Sequence, residues 1–570
     1  MTGGRLVGYD LVIRNGTVVD GSGRPPERGD VGVKDGRVAA IGRIDGGGEE
    51  EIDAEGHVVT PGFIDGHTHM DAQLFWDPYG TCSCWHGITT VVMGHCGFTL
   101  APARSDQRAL VVRNLERAED ISPLAMAQGI DWTWQTFAEY LDAVDAAPKA
   151  LNYAANVGHS ALRTWAMGER AFEQTASDDD LEVMERELRD AIQAGAIGFT
   201  TSRSDQHETS DNRPVASRLA SWEEVQRLVG AMGEVGGGVF QLTPEPAGGS
   251  RDPDVRNEWY GRLRDLAVES GVALSIPVGP TPMGRDSLEW IDATVAAGGR
   301  MFGLTHSRGI SVLLSFKTRL PFDVLAEWKE VRSLPLDEQK RALRDPSLRD
   351  RLIKAAHEGD YGHPIGAEAR KPRYDQIQVL ERPVPPNITV AERARQRGVD
   401  PVELMIDVAL ETDFDQFFLQ PLFPWDPDDV LAVMKHPRTV MTFSDSGAHV
   451  SQIADCSIQT HLLAHWVRDR QAITLEEAVR MLTSAPAAAW GFADRGLLRE
   501  GNVADINVFD PDRVGPELPT VVSDLPGGAK RLKQKATGFL ATVVRGEVVL
   551  RDGKHTGALP GRLLRAPFTG

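Results

Sequence analysis

The chain has 570 residues, 41% hydrophobic and 25% charged, which is ample for a large buried core and more than one compact unit ordinarily uses. Its 61 basic residues face 82 acidic ones, a formal net charge of −21, and such a balance argues against nucleic acid or an anionic membrane as partner, since both attract a basic field. Four cysteines (Cys82, Cys84, Cys96, Cys456) are too few for a disulfide framework in so long a chain. The first dozen residues lack the charged-then-apolar order of a signal peptide, and no apolar run is long enough for a membrane span. A cytoplasmic enzyme acting on a small molecule is expected, with self-association into a homo-oligomer left open.

Residues 10–60 read as short strands with turns. The run 10–14 (DLVIR) precedes Asn15-Gly16, a hairpin-type dipeptide, and then 17–19. Residues 31–38 repeat the strand–turn–strand plan through Asp35-Gly36. From 61 onward the rhythm changes to apolar strand followed by amphipathic helix. Candidate strands are 62–65, 89–93, 151–157, 196–201, 238–242, 272–278, 300–304 and 439–444, the eight that a closed parallel barrel needs.

The helices between them carry start signals. Asp178-Asp179-Asp180 precedes Leu181, Met184, Leu188 and Ile192, spaced for one buried face, and Gly195 closes that helix. Ser221 with Glu224, and Thr474 with Glu477, fit the capping-box pattern. Residues 321–400 break the rhythm with a charge-rich helical stretch and then a proline-rich one, too long for a loop, and read as an inserted helical subdomain able to lid a site. Residues 417–419 form a further strand outside the eight. The C-terminal runs 504–509 and 541–551, with a turn at Gly546, return to β-structure. The expected fold is α/β: a (β/α)8 TIM-type barrel over 61–485, with a small β-sandwich built from 1–60 and 486–570.

Three motifs carry chemistry. Pro61-Gly-Phe-Ile-Asp-Gly-His67-Thr-His69 ends an apolar strand in two histidines two apart, so both imidazoles leave one face of an extended backbone and can chelate one divalent ion. Thr439-Val-Met-Thr-Phe-Ser-Asp445-Ser-Gly-Ala-His449 places a carboxylate at the end of the last strand, facing the first across a closed barrel. There Asp445 can ligate the ion through one oxygen and accept a proton from water with the other. Gly87-Ile-Thr-Thr-Val-Val-Met-Gly-His95-Cys96-Gly97 ends the second strand in a thiol that a metal would hold deprotonated. His95 points to the opposite face if the strand is extended, which leaves Cys96 as the candidate ligand.

With these motifs the whole chain resembles the N-acyl-D-amino-acid deacylase (D-aminoacylase) branch of the amidohydrolase superfamily. The matching stretches are DLVIRNGTVVDGSG, VVTPGFIDGHTHMD, GITTVVMGHCGFTLAP, GHSALR, GFTTSR, TFSDSGAHV and the closing ADINVFD with GALPGR. The resemblance implies metal-dependent cleavage of the amide bond of an N-acyl amino acid of D configuration, with His67, His69, Cys96 and Asp445 at the metal site. The family pattern also expects a histidine at the end of the fifth strand and of the sixth. Here those strands contain Gln241 and Ser275 and no histidine. One zinc ion is therefore expected rather than two, or a second held weakly.

His159, Arg203, His207, His306, Arg308 and His449 sit where site-lining loops belong and are candidates for substrate contact, a guanidinium among them suiting a free carboxylate. Two further readings fit the sequence: hydrolysis of a cyclic amide or imide, and a barrel that has lost catalysis and binds a partner.

Overall fold

In the computed structural model, which describes residues 7–566, all eight apolar runs form strands that pair in parallel, in chain order. They are β1 (Phe63–Asp65), β2 (Ile88–Met93), β3 (Asn152–Gly158), β4 (Gly198–Ser202), β5 (Val239–Thr243), β6 (Ala273–Pro277), β7 (Arg300–Thr305) and β8 (Thr439–Met441). β1 continues past Gly66 as His67–Thr68, and β8 continues past Thr442 as Phe443–Ser446. These two extensions pair in parallel with Phe443 beside His67, so the last strand meets the first in a TIM-like barrel. Thr442 stitches the closure: its hydroxyl accepts from the Gly66 amide and donates to the Ile64 carbonyl at 3.1 Å.

The strands read as continuous apolar runs because both faces are covered; every residue of β2 is buried. The covering helices follow the sequence signals. Helix Asp178–Gln193 is capped by Ser177, whose hydroxyl takes the Asp180 amide, and it buries Leu181, Met184, Leu188 and Ile192. Ser221 caps helix Trp222–Glu234 as expected, but the Glu224 carboxylate turns inward instead of completing the capping box.

Both chain ends share one nine-stranded sheet, joined where Val58–Pro61 pairs antiparallel with Ile506–Phe509. One apolar cluster draws on Ile13, Val31 and Val59 from the first end and Val508 and Val543 from the second. Asp35-Gly36 makes the expected hairpin between Glu27–Lys34 and Arg37–Gly42. Asn15-Gly16 does not. It lies inside a single strand, Val7–Val18, where Asn15 adopts φ 58° and the register shifts between Ile13 and Gly16. A left-handed residue serves a β-bulge as well as a tight turn, and here the chain keeps its direction.

Between β7 and the last barrel helix, Pro427–Met434, lie five α-helices (Ala326–Arg332, Leu336–Ala342, Pro346–Glu358, Val390–Arg397, Pro401–Glu411) and a three-stranded sheet of Ser311–Leu314, Gln378–Val379 and Phe418–Pro421. The last of these strands overlaps the extra strand expected at 417–419 and begins one residue later. This segment has its own apolar core, which includes Val312, Trp328, Leu352, Met405 and Phe418. Among the described residues no helix is long and apolar enough to cross a membrane.

Candidate active site

The C-terminal ends of β1, β2 and β8 converge on one buried cluster. His67 and His69 alternate along the extended backbone past β1 and are 0% and 2% exposed. Their ligating atoms and Cys96 Sγ all lie within 4.8 Å of one another. Asp445 Oδ1 stands 3.1 Å from His67 Nε2 and 3.5 Å from His69 Nε2, and Cys96 Sγ is 3.6 Å from His67 Nε2. Around a tetrahedral ion with bonds of about 2.0–2.3 Å, ligand atoms stand about 3.3–3.8 Å apart. The His69–Asp445 and His67–Cys96 separations fall in that range, and His67–Asp445 is slightly closer.

Its polar atoms also lack other work. His67 Nδ1, both nitrogens of His69 and Asp445 Oδ1 are buried without a hydrogen-bond partner, whereas buried polar groups in folded proteins are almost always satisfied. A divalent ion fits this donor set, two imidazoles, a thiol and a carboxylate.

The backbone is bent to present these groups. Cys96 has φ 54°, Asp445 φ 52° and His449 φ 48°, left-handed values that side chains other than glycine seldom adopt. Gly447, φ 96°, makes the β8 turn fit: a Cβ there would come within 2.4 Å of the His69 carbonyl oxygen. The Ser-Gly after Asp445 is thus a close approach to the β1 loop.

Electrostatics point the same way. Burial pushes the Cys96 thiol up to about 11 and lowers the His67 imidazole to about 4, so His67 is neutral near pH 7. Burial works against a charged Asp445, yet the adjacent His67 and His69 imidazoles hold it well below the usual carboxylate range. Burial likewise opposes a charged His69, but Glu119 and Asp445 hold it well above the ordinary imidazole value. The site attracts positive charge.

Glu119 was not singled out from the sequence. It follows helix Arg108–Glu116, is 1% exposed, and sets Oε2 3.5 Å from His69 Nε2 and 3.5 Å from His449 Nε2. Its surroundings in sequence, Arg117-Ala-Glu119-Asp120, are those of a solvated loop, and nothing in spacing or periodicity marks it. His95 stacks against the His67 ring with centroids 4.1 Å apart.

The other candidate substrate contacts divide. His449 lies over the cluster and lines a cavity of 520 Å³ together with Asp120, Arg319 and Lys530. His207 is fixed by Ser202, 2.7 Å from Nδ1, and packs edge-on to Phe98. His306 is buried beside Phe443 with both ring nitrogens unpartnered. Arg203 faces Glu245 at 3.4 Å. His159 has both nitrogens engaged, with Thr201 at 2.8 Å and Glu224 at 2.9 Å, and Arg308 is occupied by Asp455, Ser457 and the Ala454 carbonyl.

The ends of β5 and β6 hold no imidazole. The Gln241 side-chain carbonyl accepts from the Cys96 amide at 3.0 Å, leaving its NH₂ buried and unpaired, and the Ser275 hydroxyl is also unpaired. An amide NH₂ is a donor and cannot ligate a cation.

The chain matches the amidohydrolase family model over residues 50–279 and 342–550. It is similar to the D-aminoacylase of Alcaligenes xylosoxydans xylosoxydans, 29% identical over 98% of this chain and 97% of that one. A solved D-aminoacylase superposes with TM-score 0.64 at 26% identity, covering 98% of this chain and 100% of the other; it has a binuclear metal centre with one-metal activation and second-metal attenuation. An N-acyl-D-glutamate deacylase from Bordetella bronchiseptica, complexed with zinc and a phosphonate mimic of the tetrahedral intermediate, gives TM-score 0.63 at 25% identity over 98% of this chain and 100% of its own. Matched in this way from end to end by D-amino-acid deacylases, the chain belongs to the amidohydrolase family.

Proposed function

We propose that this protein is a hydrolase that cleaves the amide bond of an N-acyl-D-amino acid with the help of one zinc ion. The observation that carries the reading is the convergence of His67, His69 and Cys96 within 4.8 Å of one another, with Asp445 3.1 Å from His67 and 3.5 Å from His69, in a chain that D-aminoacylases match over nearly its whole length. Zinc suits imidazole and thiolate donors, and zinc occupies the solved N-acyl-D-glutamate deacylase. A single ion is favoured because β5 and β6 offer Gln241 and Ser275 where a second ion would want imidazoles.

Bound to these four residues, the ion supplies Lewis acidity, bringing the pKa of water from about 15.7 toward 7 and polarising the acyl carbonyl. Asp445 accepts the proton of the attacking water and returns it to the leaving amine. His67 and His69 fix the geometry, and His95 backs the His67 ring. The cavity beside His449 carries exposed Lys530, which suits the free carboxylate of the substrate; Arg319 is paired with Asp120 and Arg308 with Asp455.

The test is a panel of N-acetyl-D-amino acids, their L counterparts, hydantoins and dihydropyrimidines, assayed with zinc and with chelator. Zinc-dependent release of the D-amino acid is expected. Turnover confined to the cyclic substrates would overturn the reading in favour of a cyclic amidase, and no turnover of any member by zinc-loaded protein would favour a binding protein.

A further inference from the structure

Glu119 presents a second carboxylate to the cluster from outside the barrel strands. Its Oε2 stands 3.5 Å from His69 Nε2, the same separation as Asp445 Oδ1 from that atom. Its Oε1 is buried and has no hydrogen-bond partner. Among the described residues its ion-pair contacts are His69 and His449, with no lysine or arginine. Burying a carboxylate without a cation is strongly unfavourable.

The backbone holds it there deliberately tightly. The Glu119 amide donates to the Leu115 carbonyl at 3.1 Å, and its carbonyl accepts from the His449 amide at 2.6 Å. One residue is thus tied both to helix Arg108–Glu116 and to the loop after β8 that carries Asp445. A side chain placed this way, 3.5 Å from one candidate ligand and with a free oxygen, is arranged to meet a cation.

We propose that Glu119 is a further direct ligand of the divalent ion held at His67, His69, Cys96 and Asp445, entering beside His69. The inference rests on the metal-dependent reading above. It adds an anionic oxygen donor from a loop, so the site is completed by the segment following β2 and not by the far side of the barrel.

The experiment is zinc binding by the full-length protein and by its Glu119→Gln and Glu119→Ala variants, measured by competition with a chromophoric chelator, with thermal unfolding recorded for apo and zinc-loaded forms. Outer-sphere partners of metal ligands contribute about 10–100-fold in affinity. Loss of a direct ligand should exceed that, so zinc binding weaker by more than about 100-fold is expected in both variants. Glu119→Gln should gain less thermal stability from zinc than the wild type does, because stabilisation by a ligand follows its affinity. Affinity within about tenfold of wild type would place Glu119 outside the ligand set and overturn the proposal, with the metal-dependent reading intact. An apo variant that unfolds well below wild type, with unchanged zinc affinity, would make the residue structural. Wild-type protein that binds no zinc would overturn both this proposal and the reading beneath it.

Discussion

Asp445 and the histidine pair meet at one point but do different work, and single substitutions separate them. Asparagine at 445 keeps the size and one oxygen donor but loses charge and basicity. Asp445→Asn should fold and retain part of its metal while losing turnover by about 10²–10⁴-fold, the range that a positioned acid–base group contributes. His67→Ala or His69→Ala should lose metal and turnover together, with partial recovery in excess zinc. Near-native turnover by Asp445→Asn would move the base elsewhere, with His449, 3.5 Å from Glu119, the first residue to examine. The thiol separates in the same way. Cys96→Ser should lower zinc content, and Cys82→Ser should not, since Cys82 contacts the Leu532 carbonyl and the Gln534 amide and lies outside the metal cluster. Equal zinc content in the two variants would reduce Cys96 to a packing residue.

At the scale of elements, the salt-bridged group behind β3 and β4 sets an acid limit on stability. Glu224 is 1% exposed and binds His159 and Arg163, whose guanidinium reaches both carboxylate oxygens. Burial raises its pKa, but His159 and Arg163 outweigh this and hold it at about 2. An unfolded glutamate titrates near 4.5, the unfolded chain therefore binds the proton first, and the stability from this group, fully present above about pH 4.5, is lost as pH falls toward 2. Glu224→Gln leaves the buried Arg163 without its charge partner, which should cost about 3–5 kcal/mol near neutrality. Its stability should also fall less steeply below pH 4.5 than that of the wild type, as followed by urea unfolding at several pH values. Parallel pH profiles would show that Glu224 does not titrate there.

How far these elements could be read in advance depended on local signal. All eight barrel strands fall within a residue or two of their apolar runs, because a strand buried on both faces leaves an uninterrupted hydrophobic stretch. The His67–His69 pair, Cys96 and Asp445 were legible because each ends such a run. Asn15-Gly16 misled because the same left-handed backbone serves a turn and a bulge. His159 stood in a matching motif, GHSALR, yet its nitrogens are spent on Thr201 and Glu224; a motif shows that a residue is needed without saying what it touches. Glu119 left no trace, since its role depends on where a loop folds back and not on any periodicity.

For the molecule as a whole, the barrel, the shared terminal sheet and the segment between β7 and β8 arrange many residues around few reactive atoms. Closure of β8 onto β1 brings Asp445 to His67 across the full length of the barrel sequence. The site is therefore sensitive to that seam. Gly447→Ala, which drives a methyl group against the His69 backbone, should weaken zinc binding although residue 447 carries no donor; unchanged affinity would show that the seam can shift freely. The most direct measurement is a calorimetric zinc titration of metal-free protein, followed by hydrolysis of an N-acetyl-D-amino acid at each point. One tight equivalent per chain, with activity rising to a plateau at that equivalent, is the expected result. Two tight equivalents, or activity that appears only with the second, would contradict a single-ion site built on His67, His69, Cys96 and Asp445.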